Sequence, residues 1–194
     1  TPWVRRLLEE LGHEVMVVNP RRIRLIAEST LKNDRIDAEI LARLGRLGPE
    51  LLQPVYQRSE AAQLLRTQIR VQSSLVHCRT QLINSVRGTL RSLGHRLRSC
   101  PTNRFVASFC ELSLPSELQQ TLDPLIETIH ELSERIEQLG KALGELAKLD
   151  ELPLRLQTVP GVGPLVSLSF IAWMDRPERF ARSRDVGAGL GLRP

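Results

Sequence analysis

Two long stretches of the sequence repeat apolar residues in steps of three and four, and this period constrains the fold most. Such a repeat places one stripe of side chains along a helix and lets two helices pack lengthwise. The second stretch holds the period without a break at Leu125, Ile129, Leu132, Ile136, Leu139, Leu143 and Leu146. The first starts at Ser59 and uses Ala62, Leu65, Ile69, Gln72, Val76, Arg79, Ile83, Val86, Leu90, Leu93 and Leu97. These patterns predict a long antiparallel coiled-coil hairpin over residues 58–151, whose second helix begins near Asp123-Pro124.

The two stretches carry opposite charges. Residues 58–98 hold eight arginines and one acid, a net charge of +7, whereas residues 111–151 hold ten acids and three bases, a net charge of −7. In one interpretation the two helices neutralise each other, within one chain or across a dimer. In the other, arginines that face away from the partner helix form a stripe suited to phosphates. Candidate contacts of that stripe are Arg66, Arg70 and Arg79.

Residues 1–57 have the pattern of a partial α/β domain, which makes the predicted fold class mostly α with an α/β portion. The predicted order is a helix over 2–11, a strand at EVMVV (14–18), a helix from Asn19-Pro20, a helix in KNDRIDAEILARLGRL and a strand at ELLQPVYQ (50–57). Two short strands are too few for a stable sheet. We therefore expect this α/β domain to be truncated, and the chain to be a piece of a longer one.

The segment LQTVPGVGPLVSL (156–168) has the form of a helix-hairpin-helix motif. Glycines let the backbone approach a phosphate closely, and the N–H groups at the next helix start can bind the anion. Gly161, Val162 and Gly163 are the candidate contacts, with Arg155 nearby. The alternative is a plain turn between two packed helices. Either interpretation predicts a helical C-terminal domain over residues 152–194.

Two aspartates, Asp34 and Asp37, stand three residues apart at the predicted start of a helix in KNDRIDAEILARL. This spacing puts both carboxylates on one face of the helix. Two hard oxygen ligands so placed can hold Mg²⁺, as phosphoryl-transfer sites require. The alternative is that they only cap and solvate the helix, with Asp37 placed favourably for the helix dipole. The spacing alone leaves both interpretations open.

The remaining composition excludes several classes of protein. Three cysteines without a CxxC pair argue against a disulfide framework and for a reducing compartment, so we expect a cytoplasmic protein. The four histidines are scattered and form no zinc-site spacing. The most apolar window, TVPGVGPLVSLSFIAWM, is too short and interrupted to cross a membrane. The net charge of +5, with a pI near 9.7, favours a polyanionic partner.

Several of these segments, in this order, resemble the insertion-sequence-110 family of bacterial and archaeal transposases. KNDRIDAEILARL resembles the family signature K-x-D-x-x-D-A-x-x-[IL]-A, and LEELGHEVMVVNP resembles the helix and strand before it. LLRTQIRVQSSLVHCRTQLINSVRGTLRSLG is similar to the basic linker helix. LQTVPGVGPLVSLSFIAWMDRPERFARSRDVGAGLGLRP is similar to the start of the C-terminal transposase domain.

The resemblance implies a fold and a chemistry. Family members have an RNase H-fold (RuvC-like) domain with a DEDD carboxylate set that binds Mg²⁺, a coiled coil for multimerisation, and a C-terminal domain with a catalytic serine. They cut and rejoin DNA, guided by a structured RNA. Asp34 and Asp37 match the last two carboxylates of the set. The first two carboxylates of the set have no match here. The catalytic serine has none either, because Ser167, Ser169 and Ser183 do not align with it.

The resemblance therefore implies an insertion-sequence transposase, truncated at both ends, with DNA, Mg²⁺, a guide RNA and other copies of the chain as partners. We expect the 194-residue chain to be inactive alone. Two other functions fit the same residues. The chain could be a non-enzymatic DNA-binding module that uses the helix-hairpin-helix motif and the basic helix. It could also be a coiled-coil scaffold whose basic charge is incidental.

Overall fold

A computed structural model of the chain describes residues 2–19, 23, 33–48, 52 and 54–192. Within these residues the fold is helical and contains no strand, which confirms the mostly α class. The chain divides into two compact units, Thr1–Arg58 and Ser59–Pro194. The helices are α1 (Pro2–Glu10), α2 (Asp34–Leu47), α3 (Glu60–Ser92), α4 (Phe105–Cys110), α5 (Ser116–Leu146), α6 (Glu151–Leu156), α7 (Pro164–Met174) and α8 (Arg184–Gly189).

The strand predicted at residues 14–18 is wrong for this structure. The segment meets the second predicted strand at one antiparallel bridge, Val18 with Pro54, beside a 2.7 Å hydrogen bond from the Val55 N–H to the Val17 carbonyl. An isolated pair of strands is marginally stable, and the described part of this unit supplies a single bridge. The helix predicted from Asn19-Pro20 lies outside the described residues, as do Glu50, Leu51 and Gln53.

Helices α3 and α5 form the body of the second unit, with bounds that differ from the predicted ones. Ser59 caps α3 by accepting the Ala62 N–H at 3.2 Å. The helix ends at Ser92, before the predicted Leu97, and the chain turns at Gly94, whose φ is +81°. Helix α5 begins at Ser116, earlier than predicted, and continues through Pro124. Leu122, which precedes this proline, is buried, and that packing favours an early helix start.

The two long helices run antiparallel. The Arg79 guanidinium donates to Ser133 Oγ at 3.3 Å, and Gln72 lies so close to Gly140 that a Cβ there would sit 3.2 Å from Gln72 Nε2. Residues later in α3 therefore face residues earlier in α5. The two polar positions of the α3 repeat, Gln72 and Arg79, therefore face two small residues of α5, Gly140 and Ser133.

The stripe of α5 that faces α3 is not the predicted one. Ile129 and Leu143 are buried as expected, but their buried companions on α5 are Leu122 and Ile126, followed by Ala147 just after the helix. This stripe continues through Ser133 and Gly140, which keeps a four-three period. The predicted positions beside it are more exposed: Leu125, Leu132 and Leu139 are half-buried, and Leu146 is 37% exposed.

Two apolar clusters flank the polar middle of the hairpin. The larger one joins the end of α3, the short helix α4 and the start of α5; its buried residues are Ile83, Val86, Leu90, Phe105, Phe109, Leu122, Ile126 and Ile129. The smaller one joins Leu143 and Ala147 to Leu168 of α7, with Leu65 and Ile69 of α3 against it. Helix α7 therefore packs on the end of the hairpin where α3 begins.

A polar contact fixes the C-terminal end of α7 against the start of α3. The Asp175 carboxylate accepts from the Ser59 N–H at 2.8 Å and from Ser59 Oγ at 2.6 Å. Asp175 has a positive φ of 57°, which a non-glycine residue adopts only when its surroundings hold it there. Just beyond it, the Arg179 guanidinium lies 4.9 Å from the Trp173 ring centroid and 4.3 Å from that of Phe180.

Candidate functional site

Asp34 and Asp37 lie in the first turns of α2, as the sequence predicts. The side chain that caps this helix belongs to Asn33, whose Oδ1 accepts the Arg35 N–H at 2.9 Å. Asp34 is exposed and Asp37 is half-buried. Neither carboxylate has a hydrogen bond or an ion pair within the described residues. Both carboxylates remain able to act as metal ligands, and their negative charges also interact favourably with the helix dipole.

These two carboxylates fit part of a magnesium site. Mg²⁺ binds through one or two carboxylates and keeps water or substrate phosphate in its other positions. The described residues contain no group of three or more metal-ligating side chains, so further ligands would come from elsewhere. The chemistry of the pair suits a hard divalent cation, and its place at a helix surface leaves room for a phosphate.

The PGVG turn connects α6 to α7, and these two helices pack against each other. Gly161 has a φ of +87°, which favours glycine, and a Cβ at Gly163 would meet nothing within 4 Å. Gly163 starts α7 without a side-chain cap, so the first N–H groups of the helix have no partner from a cap. The turn is exposed at Val159, Pro160 and Gly161. An anion can therefore reach this helix start.

The serines of the C-terminal segment have structural surroundings. Ser167 is fully buried, and its Oγ donates to the Pro164 carbonyl at 2.9 Å. Ser169 Oγ donates to the Leu165 carbonyl at 2.6 Å, and Ser183 is exposed beside α8. A nucleophile must be reachable and must lie beside a base. The positions of Ser167 and Ser169 support the interpretation that neither is the catalytic serine.

The three candidate arginines of α3 differ in their surroundings. Arg79 is half-buried, donates to Ser133 and therefore contributes to the packing of the hairpin. Arg70 is exposed and makes no ion pair within the described residues. Arg66 is half-buried, and Arg155 is exposed at the end of α6. Arg70 and Arg155 are thus the most open of the four towards a polyanion.

The acids of α5 pair mainly along their own helix. Lys141 Nζ lies 2.8 Å from Glu137 Oε1 and Lys148 Nζ lies 2.7 Å from Glu145 Oε1. The hydrogen bond and charge of Lys141 lower the pKa of the exposed Glu137 carboxyl. By contrast Arg70, Arg79, Arg87 and Arg91 form no ion pair within the part of the chain that the structure describes. The acids of α5 therefore do not neutralise these four arginines of α3 through ion pairs within the described residues.

The prediction from the sequence missed a concentration of basic residues at and beyond the end of α3. Arg91, His95, Arg96 and Arg98 surround the turn at Gly94, and Arg104 follows shortly afterwards. The available signal was the density of arginines around two turn residues, Gly94 and Pro101. It was obscured because the helix was predicted to continue to Leu97.

Comparison with known proteins identifies two family matches. A DEDD transposase model of the IS110 type matches residues 1–95, and the model described as transposase IS116/IS110/IS902 family matches residues 154–194. The chain is 29% identical to a transposase for insertion sequence element IS1328 of Yersinia enterocolitica, with 99% of this chain and 57% of that protein covered. It is 31% identical to a putative transposase of Sinorhizobium fredii, with 99% and 49% covered.

A transposase for insertion sequence element IS1111A of Coxiella burnetii is 28% identical, with 99% of this chain and 53% of that protein covered. The chain thus spans about half the length of the curated relatives it matches. No solved structure matches it. None of the helices in the described ranges has the length and apolarity to cross a lipid bilayer.

Proposed function

Because the chain belongs to the IS110 family of transposases, we propose that it acts in the transposition of an insertion sequence by Mg²⁺-dependent cutting and rejoining of DNA. The observation that carries this proposal is the pair Asp34 and Asp37, two carboxylates on one face of α2 without a protein partner in the described residues. They stand in the segment that resembles the family signature. The proposed domains are a partial RuvC-like domain over 1–57, a coiled-coil region over 58–151 and the start of the transposase domain over 152–194.

In this proposal Asp34 and Asp37 hold the cation. A bound Mg²⁺ would neutralise charge on a phosphodiester and orient its oxygens. Asp37 is half-buried, which limits its rotamers, whereas the exposed Asp34 is free to adjust to the ion. Asn33 keeps the helix start capped without occupying either carboxylate. A serine nucleophile and a structured guide RNA complete the activity that the family resemblance implies, in the cytoplasm of a prokaryotic cell.

The metal assignment is tested on the chain itself with Mn²⁺ as a spectroscopic probe for Mg²⁺. Replacing Asp34→Asn together with Asp37→Asn removes both charged ligands, and we expect the affinity for Mn²⁺, measured by electron paramagnetic resonance, to fall at least about tenfold. The control exchanges Glu9→Gln and Glu39→Gln, two acids paired along their own helices with Arg5 and Arg43. Equal Mn²⁺ affinity in both double variants would contradict the assignment.

DNA cleavage provides the second readout of the same variants. We expect no Mg²⁺-dependent strand cleavage by the 194-residue chain alone, because the described residues contribute two carboxylates and no group of three ligands. If the chain does cleave, the activity must disappear in the Asp34→Asn, Asp37→Asn variant. Strong cleavage that persists in this variant would remove both residues from the catalytic site.

A second function, a non-enzymatic DNA-binding module, is favoured by the PGVG turn. The exposed Gly161 and the half-buried Gly163 precede an uncapped helix start, where backbone N–H groups can bind a phosphate. Arg155, Arg66 and Arg70 would add charge, and Arg79 would contribute less because it contacts Ser133. In this alternative Asp34 and Asp37 serve only the helix dipole. The two functions share the same DNA contacts and differ in the metal site.

Gly163→Ala tests whether a phosphate approaches this turn closely. The φ of −93° at Gly163 suits alanine and the added Cβ meets open space, so we expect unchanged thermal stability. We expect affinity for duplex DNA to fall roughly fivefold to tenfold, because the methyl group keeps the phosphate from the N–H groups. Gly144→Ala, in α5 and also in open space, is the control for adding a methyl group. A plain turn between helices would leave both affinities unchanged.

We further propose that copies of the chain associate through the hairpin. Leu125, Leu132, Leu139 and Leu146 form a stripe on α5 beside the one that faces α3, and they are only partly buried within the chain. Leu64 and Val71 of α3 are also exposed. A continuous apolar stripe on a long helix is the usual surface for lengthwise pairing with another helix.

A further inference from the structure

The end of the hairpin away from α7 holds a rigid turn. After α3 ends, the Gly94 N–H donates to the Arg91 carbonyl at 3.1 Å and the His95 N–H donates to the Leu90 carbonyl at 2.8 Å. The positive φ of Gly94 permits this closure. Leu90 is fully buried, so the turn is attached to the larger apolar cluster. The chain therefore leaves α3 in a defined direction at His95.

These residues line a cavity of about 460 Å³, here named the tip pocket, formed by Arg87, Arg91, His95, Arg96 and Arg98 together with Leu97 and Ser99. Four arginines are among the residues that line this space, and no acid lines it. None of the four arginines forms an ion pair within the described residues. Four like charges converge without a counter-ion from the described chain, and such an arrangement repels itself unless an anion binds.

Arg87 is held at the wall of this pocket by neighbours other than acids. Its Nη2 donates to Cys100 Sγ at 3.4 Å, and its guanidinium carbon lies 5.5 Å from the Phe105 ring centroid. Its Nε is buried and has no hydrogen-bond partner within the described residues. A buried N–H donor without a partner is uncommon in native proteins. A bound anion in the pocket would provide acceptor oxygens beside this arginine.

A second cavity of about 450 Å³ lies on the other side of residues 96–99. Arg96 and Arg98 line it too, together with Arg104, Ser108 and the carboxylate-bearing Glu111. The basic surface therefore continues from one cavity to the other, interrupted by one acid. This continuity indicates an extended anionic ligand with several charges in a row.

We propose that the tip pocket binds the phosphodiester backbone of a nucleic acid. Guanidinium groups match phosphate oxygens with paired hydrogen bonds. The pocket lining contains four arginines and no Phe, Tyr or Trp, and its single imidazole belongs to His95, so the contact is made mainly to the backbone and depends little on sequence. This inference rests on the proposed function and adds a second site of contact with nucleic acid.

The tip pocket lies away from the part of α3 on which α7 packs. Helix α7 packs near Leu65 and Ile69, whereas the pocket is lined by Arg87 and Arg91. At 1.5 Å per helical residue, the stretch of α3 from Ile69 to Arg87 is about 27 Å long. A nucleic acid that contacts both the tip pocket and the C-terminal segment would therefore extend along the hairpin.

The test compares two triple variants of the whole chain. Arg91→Gln, Arg96→Gln and Arg98→Gln removes three charges from the tip while keeping the buried Arg87. The matched control removes three charges from exposed positions of the acidic helix and its end: Arg135→Gln, Lys141→Gln and Lys148→Gln. Fluorescence anisotropy gives the Kd for a labelled duplex DNA of random sequence and for a labelled RNA hairpin, each at several salt concentrations. Circular dichroism shows that both variants keep their helices.

We expect the tip variant to lose roughly 10-fold to 100-fold in affinity for one or both nucleic acids, with a salt slope that is shallower by about two to three. The control should stay within about threefold of the unsubstituted chain. A loss for DNA alone, for RNA alone or for both supports the pocket and identifies its ligand. Equal affinities and equal salt slopes of the two variants would overturn it, while the PGVG contact could still stand. If the unsubstituted chain binds neither nucleic acid, both this inference and the proposed DNA contacts are wrong, although the metal assignment remains testable.

Discussion

Leu90→Ala should lower the free energy of unfolding of the hairpin by about 2–5 kcal/mol. Leu90 is 0% exposed and packs in the larger apolar cluster with Val86, Phe105 and Ile126. Removing its side chain leaves a cavity between α3 and α5 that the surrounding helices fill only in part. Leu90 also accepts, through its carbonyl, the hydrogen bond that closes the turn after α3. Urea unfolding followed by circular dichroism measures the effect.

Leu93→Ala is the matched control, since both leucines lie on the same stripe of the sequence. Leu93 is 56% exposed and stands just after the end of α3. Its replacement should change the free energy of unfolding by less than about 0.5 kcal/mol. Comparable losses for the two variants would show that the stripe continues to be buried past Ser92, contrary to the structure.

Leu132→Lys combined with Leu139→Lys should separate associated copies of the chain without unfolding it. Both leucines lie beside the stripe of α5 that faces α3, and both are half-buried. Lysine can extend its charge to solvent from such a position within one chain, but not from a seam between two helices. We expect the Kd of self-association, from analytical ultracentrifugation, to rise at least about a hundredfold.

The control for this variant is Leu149→Lys with Leu152→Lys, which makes the same change at two exposed leucines outside the stripe. Self-association should be unaffected there. Loss of helicity in the Leu132 and Leu139 variant would mean that these leucines belong to the core of a single chain. Unchanged association together with unchanged helicity would show that copies pair through another surface.

The sequence was informative about local structure because short-range rules apply there. The start of α2 was predicted from the acids Asp34 and Asp37, although the capping side chain belongs to Asn33, and the PGVG turn follows from Gly161, whose positive φ a side chain would disfavour. The strand predicted at EVMVV was wrong because a ladder depends on partners that local composition does not reveal, and the one predicted at ELLQPVYQ lies partly outside the described residues. The end of α3 was misplaced for a related reason: Leu97 fits the period, but Gly94 had already turned the chain.

The candidate sites also differ in whether local sequence rules predict them. Asp34 and Asp37 could be named from spacing, since two residues three apart on a helix share a face in any fold. The tip pocket could not, because it depends on how Arg87 in α3 meets Cys100 and Phe105 beyond the turn. Arg79 was named as a phosphate contact because a sequence does not show which side of a helix its partner covers, and the structure places it against Ser133.

The sequence by itself determined that two long helices form and pair antiparallel, and the family to which the chain is related. Their signals are the apolar period, the turn residues between the two repeats and the ordered motifs. Only the tertiary structure decided which flank of α5 faces α3. Ile129 and Leu143 lie on both possible stripes, so the period cannot choose between Leu132 and Ser133 as their neighbour. The choice depends on shape: Arg79 and Gln72 need small residues opposite them, and Ser133 and Gly140 provide that space.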